Sequence, residues 1–578
     1  MTELARLKVL VFDCQASNPD PEKGFLLEMG WAAAEGSGEG PAPEEIRDHL
    51  VRVPEGAEIP RRVLKVTGID EEELRQARPP AEVYRELAGE AERVARASGM
   101  ETCPTVIHYG RFEEPFLRRL HRQSGSPGPL PYEIICTHEI ARRLMPDLPR
   151  RGLRALAGFF GYPAGRYRRS GHHVEATAFI WRHLVPMLED RHVTTLEELF
   201  TWLSSTPAAA TGERAFPMEK EVVQGLPRGP GVYRMLRAGG DVLYVGKATS
   251  LRQRVGSYFG KKAPHPEDKL EMLTQARDVS FTGTASALEA SLLESDEIKR
   301  LCPPYNVHLQ SAGRRLFFLT TDFSDSLGKR TDRCCLGPVP SRDIFEAFHR
   351  IGCFLGRTPV SGPDMDNCAA ALGLPEEYAP EPEIFLEGLE VFKGEHAGHL
   401  EGKEIVPALK ALGVTLWLEK LDEAEAEVPE EDPGEVEKEE KAEFVWTPEA
   451  VSRAVEGILR HSMRLVRRGR LLCLLSESSL AWESKDPGSR MRNLLVFRKG
   501  AVARRGWLEP GEEIPRPPGR RKSLKSRQCS LDLAAYDRMR VLSTEIRRLV
   551  NEGRPVELRP GGGPPLGNVR IALLLRWV

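Results

Sequence analysis

Two sets of side chains have the types and spacing that chemistry requires. The first begins at Asp13, at the end of the apolar run "LKVLVFDC". A carboxylate at a strand end is a seat for a metal ion, and hydrolysis through two cations needs several carboxylates to hold them. Two residues further on, where a second carboxylate would serve, stands the neutral Gln15. The second set is richer. Tyr233 and Tyr244 sit in the β-rich runs "GVYRML" and "DVLYVG", and Gly246 lets the backbone leave the second run sharply. Arg254 and Tyr258, four residues apart, share a helix face. Glu294 falls between Ile298 and Leu301 on a largely apolar helical face. A carboxylate is costly there unless a cation or metal pairs with it. Phenols, a guanidinium and a carboxylate together suit a hydrolysis in which negative charge on the substrate has to be neutralised.

The same runs show which elements must position these groups. The turn containing Gly239 and Gly240 predicts a hairpin of the two tyrosine-bearing strands. Ser286 and Glu289 have capping-box spacing and start a helix through "SALEASLLESDEIKRL". Leu288, Leu292, Ile298 and Leu301 supply much of its apolar surface, and the prolines of "CPPYN" stop it. Upstream, the strand-like runs "LKVLVFDC", "FLLEMGWAAA" and "TCPTVIHYG" alternate with the helix-like "EEPFLRRLHRQSG" and "VEATAFIWRHLVPMLE", the pattern of an α/β layer fold. The predicted organisation is an α/β domain at 1–195, a linker at 196–221 around "SSTPAAATGERAFP", and a small α/β domain at 222–310. An extension at 311–360, a variable region with an acidic linker at 361–443, and an α+β domain at 444–578 follow. In the last of these "VRIALLLRWV" reads as a strand, and no motif discloses the domain's role.

The chain has 578 residues, 40% of them apolar and 29% charged, the proportions of a globular protein of several domains. No basic, apolar leader and no apolar run of about twenty residues is present, so no membrane span is expected and the cytoplasm is the expected compartment. Ten scattered cysteines fit free thiols in a reducing environment. The formal net charge of -3 does not announce a nucleic-acid binder, but the total conceals basic clusters at "RHSMRLVRRGR" and "RPPGRRKSLKSR" and an acidic run at "LDEAEAEVPEEDPGEVEKEEKAE".

Residues 222–310 resemble the GIY-YIG nuclease domain, especially the N-terminal nuclease domain of UvrC-type excinuclease subunits. "GVY" stands for the first signature and "YVG" for the second. Lys247, Arg254, Tyr258, Glu294 and "PPYN", ending at Asn306, follow in the family's order and spacing. The resemblance implies that Glu294 binds a single divalent metal, Mg2+ or Mn2+, and that Tyr233 or Tyr244 deprotonates or orients the attacking water. It also implies that Arg254 contacts the scissile phosphate, Lys247 adds positive charge, Tyr258 orients, and Asn306 holds loops near the site. An unaided phenol has a pKa of about 10, so a tyrosine base needs a cation or metal nearby. The segment "CLGPVPSRDIFEAFHRIGCF" looks like the region after this domain in UvrC-type proteins, where a four-cysteine iron–sulfur site is common. Cys334, Cys335, Cys353 and Cys368 lack that spacing and read as buried thiols. Neither a second nuclease domain nor a clear helix-hairpin-helix is found, so nicking at one site is expected rather than dual incision.

The N-terminal region resembles the DEDDh exonucleases, which include the proofreading subunit of the bacterial replicative polymerase and have a ribonuclease H-like fold. "VFDCQAS" sits where the family has Asp-x-Glu. "VRVPEGAEIPRRVLKVTGI" is similar to a connecting segment, and "VIHYGRFEEPFL" resembles the second motif with Glu113 in place of Asp. "GHHVEATAFIW" resembles the last motif, with His172 or His173 for the general base and Glu175 for its Asp, at a shorter spacing. Gln15 is a poor substitute for a bridging carboxylate, and a shift near 1 Å can cost about a hundredfold in rate. Weak or absent exonuclease activity is therefore expected. The whole reads as an α/β multidomain, metal-dependent DNA endonuclease of DNA repair, in the manner of nucleotide excision repair, with DNA and other repair proteins as partners. Its products, by resemblance, carry a 3′-hydroxyl and a 5′-phosphate. The alternatives are a bifunctional exonuclease/endonuclease, a non-catalytic DNA-binding scaffold, and a nuclease of recombination or phage defence.

Overall fold

The computed structural model describes the chain except residues 1, 126–127, 164–166, 208–213, 261–264, 307–312, 357–364, 427–444, 485–489, 518–530, 562 and 577–578. It divides into two compact units, Met1–Ala290 with Pro303–Val307 and Ser291–Cys302 with His308–Val578. Both mix helices and sheets, which is the α/β multidomain class read from the sequence.

The first unit opens with a five-stranded sheet of β1 (Lys8–Ala16), β2 (Leu26–Glu35), β3 (Arg47–Leu50), β4 (Cys103–Ile107) and β5 (Tyr132–Cys136), ordered β3-β2-β1-β4-β5. The first three strands pair antiparallel, and β4 and β5 join parallel. Parallel pairs need crossovers, which the helices Pro80–Ser98 and Gly110–Gln123 provide. Strand β1 is apolar throughout because both of its faces are covered. Leu10 and Phe12 join Val83 and Leu87 in one core. Val9 and Val11 join Ile180 and Trp181 of the helix Ser170–Glu189 in the other. Strand alternation therefore turns Asp13 toward the helix that carries His172, His173 and Glu175. This is the ribonuclease H-like sheet implied by the resemblance.

The segment read as a linker begins instead as a helix, Leu196–Ser205, started by a Thr195–Glu198 capping box and sealed by Leu196 and Leu199 in the domain core. The small domain follows with β6 (Gly231–Leu236), β7 (Val242–Ala248) and β8 (Asp278–Gly283), antiparallel in the order β7-β6-β8. Its helix Glu267–Gln275 lies so close to the helix Leu153–Phe159 that a Cβ on Gly158 would fall 2.0 Å from Gln275 Oε1. The buried Arg237 donates from Nη1 to the Tyr162 carbonyl at 2.6 Å and from Nε to Gln275 Oε1 at 3.0 Å. The two domains are thus packed directly on each other. A cleft of about 970 Å³ between them has Arg142, Arg150, Arg151, Arg154 and Arg214 on its walls, a basic lining that the net charge conceals. Glu267 pairs with Arg150 and Glu271 with Arg154, so the lining is mixed.

In the second unit, residues from the 311–360 extension and from the region read as variable share one core, in which Leu319, Phe345, Phe385, Leu409 and Val455 meet. The contributing helices are Asp343–Leu355, Pro382–Glu395, Ile405–Ala426 and Pro448–Leu475, beside a small sheet of β9 (Phe317–Leu319), β10 (Ser326–Leu327) and β11 (Leu336–Val339). The greater part of the acidic linker lies outside the described residues, as does most of the basic "RPPGRRKSLKSR". The C-terminal α+β region is an antiparallel sheet of β12 (Ser478–Glu483), β13 (Arg492–Arg498), β14 (Ala501–Leu508) and β15 (Val556–Pro560), with the helix Leu533–Asn551. "VRIALLLRWV" forms the helix Asn568–Leu575 rather than a strand, with Ile571 and Leu575, one turn apart, as its buried pair. Among the four cysteines read as buried thiols, Cys334 and Cys368 are buried, Cys335 is partly exposed and Cys353 is exposed. Among the described residues no helix is long and apolar enough to cross a membrane.

Candidate active site

The register of the small domain places Tyr233 on β6 directly opposite Gly246 on β7. A Cβ at position 246 would lie 2.4 Å from Tyr233 Oη and 2.8 Å from Tyr244 Cε1. Only glycine therefore lets the Tyr233 phenol lie across the neighbouring strand. Tyr233 is fully buried, and its hydroxyl is 2.8 Å from that of Tyr258, itself buried just after the helix Leu251–Gly256. Arg254, exposed on that helix, sets its guanidinium 5.1 Å from the centre of the Tyr258 ring and hydrogen-bonds to Tyr233. Burial pushes the Tyr233 pKa far up, and the Tyr258 and Tyr244 phenols add to that, while Arg254 opposes it. Tyr233 is a neutral phenol in this setting. Tyr244 is half-buried, its ring centre 6.2 Å from that of Tyr233, and Lys247 is exposed further along β7.

Asn306 binds the backbone of Val245 at both ends of its amide, accepting from the N–H and donating to the C=O, each at 2.9 Å. Strand β7 is a sheet edge, so the side-chain amide replaces a missing strand partner between Tyr244 and Gly246. Two neighbours of Tyr258 went unread in the sequence. His265 Nε2 is 2.7 Å from the Tyr258 carbonyl, and Lys269 Nζ is 5.7 Å from the centre of its ring.

Glu294 is half-buried on the helix Ala287–Leu301, about two turns from its start. That start is fixed by Ser286 Oγ, which accepts from the Glu289 N–H at 3.2 Å. Leu288, Leu292 and Ile298 are buried, and Leu301 is partly exposed. The tyrosines, Arg254 and Asn306 belong to the first compact unit, whereas Ser291–Cys302, which includes Glu294, belongs to the second. A single hard carboxylate on a helix suits Mg2+ or Mn2+, which take one or two protein oxygens and keep several waters.

The centre at Asp13 has a different character. His173 Nδ1 is 3.1 Å from Asp13 Oδ1, and His173 Nε2 is 3.3 Å from the Tyr167 carbonyl. Both ring nitrogens face acceptors, so both act as donors and the ring is held as the cation. Burial lowers the His173 pKa, but Asp13 more than reverses this and leaves it raised. A ring held this way has no lone pair to serve as a general base, and His172 is exposed. Glu113 is buried, and that burial together with the neighbouring Asp13 carboxylate pushes its pKa well up. Gln15 Nε2 donates to the Arg168 carbonyl at 2.7 Å, a structural bond. Glu175 does not join the cluster, because it accepts from the Tyr162 phenol. Helical spacing explains this, since Glu175 is about 200° around the axis from His173. Thr177, one turn beyond His173 on the same face, is buried with its hydroxyl unpaired, and the i, i+4 spacing would have picked it out. Asp13 and Glu113 are buried side by side and share a hydrogen bond. Asp13 and Glu113 leave this cluster two carboxylates, where hydrolysis through two cations calls for several. Among the described residues, the one group of three ligand atoms within 4.8 Å of one another is Glu395, His396 and Glu456, outside both centres.

The UvrC-like GIY-YIG domain family matches residues 229–307. The UvrABC system protein C of Psychrobacter arcticus is 41% identical over 130 residues, 21% of this chain and 21% of that protein. A putative bifunctional exonuclease/endonuclease protein of Mycobacterium tuberculosis is 30% identical over 244 residues, 41% of this chain and 36% of that one. That alignment is far longer than the family match and so extends well outside it. The chain thus spans about a fifth to a third of the length of these relatives. The magnesium-bound GIY-YIG N-terminal endonuclease domain of UvrC from Thermotoga maritima is 30% identical, covers 16% of this chain and 100% of its own, and gives a TM-score of 0.14. Residues 229–307 thus match the UvrC-like GIY-YIG domain family, in one chain with an N-terminal domain built on the sheet β3-β2-β1-β4-β5.

Proposed function

We propose that this protein is a metal-dependent DNA endonuclease that nicks one strand at its GIY-YIG site and acts in DNA repair. The observation that carries the reading is the packed set Tyr233, Tyr258 and Arg254, with Gly246 making room for the phenol and Asn306 pinning the strand beside it. Glu294 is the residue that would hold Mg2+ or Mn2+, and such an ion supplies charge neutralisation at the phosphate and a more acidic water. Arg254 offers a planar fork to a phosphate oxygen. Tyr233, with its high pKa and a hydroxyl shared with Tyr258, orients the water rather than ionising unaided, and Lys247 adds positive charge at the end of the strand. The N-terminal domain contributes little or no exonuclease activity, because His173 is occupied as a cation and Gln15 as a structural bond. The name of the exonuclease/endonuclease relative supports a nuclease, and the proposal takes DNA as its substrate, repair as its setting and other repair proteins as its partners.

The test is an incision assay on duplex DNA with and without a lesion, in Mg2+ and in Mn2+. Wild type is expected to nick and Glu294→Ala to be silent. Equal nicking by both would remove the assignment. End-labelled single strands compared for wild type and Asp13→Ala test the first domain, and a clear degradation lost in Asp13→Ala would restore the bifunctional reading.

A further inference from the structure

The helix carrying Glu294 is gripped by the C-terminal helix Leu533–Asn551, which belongs to the same compact unit. Ser291 Oγ donates to Glu545 Oε1 at 2.7 Å. Arg538 makes a forked bond to Asp296, from Nη2 to Oδ1 at 2.8 Å and from Nε to Oδ2 at 3.2 Å. Lys299 Nζ lies 3.2 Å from Asp537 Oδ2, and Arg314 clasps the same carboxylate with two bonds of 2.7 Å. Asp537 is wholly buried. Burial pushes its carboxyl up, and Arg314 and Lys299 more than reverse that, leaving it ionised below its ordinary range.

These contacts are not spread evenly around the helix. At 3.6 residues per turn, Ser291, Lys299 and Asp296 lie about 60°, 140° and 200° around the axis from Glu294. The grip takes one half of the helix and leaves Glu294 at the edge of the other. Polar contacts above and below Glu294 fix both the rotation of the helix and its setting along the axis, because charged forks tolerate little displacement. A carboxylate that is the sole protein ligand of a cation depends on that setting, since no second ligand corrects an error.

We propose that Arg538 and Asp537 are positioning residues for a divalent cation at Glu294, so that the C-terminal helix, more than two hundred residues downstream, sets the carboxylate that holds it. The proposal rests on Glu294 being that ligand. It gives a role to a domain in which the sequence shows no motif.

The test is Mn2+ binding to the full chain, followed by electron paramagnetic resonance, with melting curves alongside. The proteins are wild type, Glu294→Ala, Arg538→Asp, Asp296→Arg and the swap Asp296→Arg/Arg538→Asp. Arg538→Asp is expected to weaken the Glu294-dependent Mn2+ site several-fold, because the fork that sets the helix is lost. The swap should recover most of that affinity. Unchanged Mn2+ affinity in Arg538→Asp, or a loss that the swap leaves in place, overturns the proposal. If Arg538→Asp does not fold, Asp296→Asn, which breaks the same fork, takes its place. A several-fold weakening is then expected, and wild-type affinity would overturn the proposal. Nicking by the same proteins separates the two ideas. A wild type that binds Mn2+ through Glu294 yet never nicks removes the endonuclease reading and leaves this proposal standing. If wild type and Glu294→Ala bind the same number of Mn2+ ions with the same affinities, both are overturned.

Discussion

Tyr233 shows how burial sets a role at the scale of one residue. Its hydroxyl is shielded from water and shared with Tyr258, so in the proposed mechanism it orients rather than ionises and Arg254 supplies the charge. Arg254→Ala is expected to slow nicking by about a hundredfold or more, the scale for losing one group aimed at developing charge, with little change in melting temperature. Single-turnover nicking rates measure it, and a fall under about threefold would remove Arg254 from the chemistry. Gly246→Ala drives a methyl into Tyr233 and Tyr244 and should cost about 1–3 kcal/mol of stability as well as activity, read by urea unfolding. At the other centre, Glu113 holds a proton in the folded state that the unfolded chain releases above about pH 4.3. The folded state binds more protons, so stability is full below that pH and falls as pH rises through the raised native pKa. The raised His173 has the same sign above about pH 6.5. Glu113→Gln should therefore flatten the fall of melting temperature from mild acid to neutrality, and an unchanged slope would contradict the assignment.

At the scale of elements, much of the candidate site was legible because several independent signals coincide. "GVYRML" and "DVLYVG" become β6 and β7, and Gly240 turns between them at φ +87°. Ser286 and Glu289 mark the helix start that the structure shows. What stayed hidden depended on partners distant in sequence. Strand β8, "DVSFTG", is short with little alternation, and it becomes a strand because β6 offers it an edge. The family resemblance points to Glu175, whereas helical spacing places Thr177 beside His173 and turns Glu175 toward Tyr162. The C-terminal "VRIALLLRWV" was ambiguous between strand and helix, as short apolar runs are. Asn306 also reaches across elements. Asn306→Ala leaves the Val245 N–H and C=O buried without partners, at a cost of about 1–3 kcal/mol each, and Asn306→Asp can replace only the acceptor half. Urea unfolding should rank wild type above Asn306→Asp and Asn306→Ala lowest, and equal stability of all three would show that the edge needs no clamp.

At the scale of the whole molecule, one helix begins in the first compact unit and continues in the second, and Glu294 lies on the second part. A fragment ending at residue 310 would leave Ser291, Asp296 and Lys299 without Glu545, Arg538 and Asp537. It should nick more slowly than the full chain and require more Mg2+, and an equally active fragment would contradict that. The central claim concerns which of two centres cuts. It is tested most directly by converting supercoiled plasmid to nicked circle with wild type, Asp13→Ala and Glu294→Ala in parallel. Asp13→Ala should nick at the wild-type rate while Glu294→Ala leaves the plasmid supercoiled. Nicking that survives Glu294→Ala and disappears in Asp13→Ala would place the chemistry in the N-terminal domain and contradict the account.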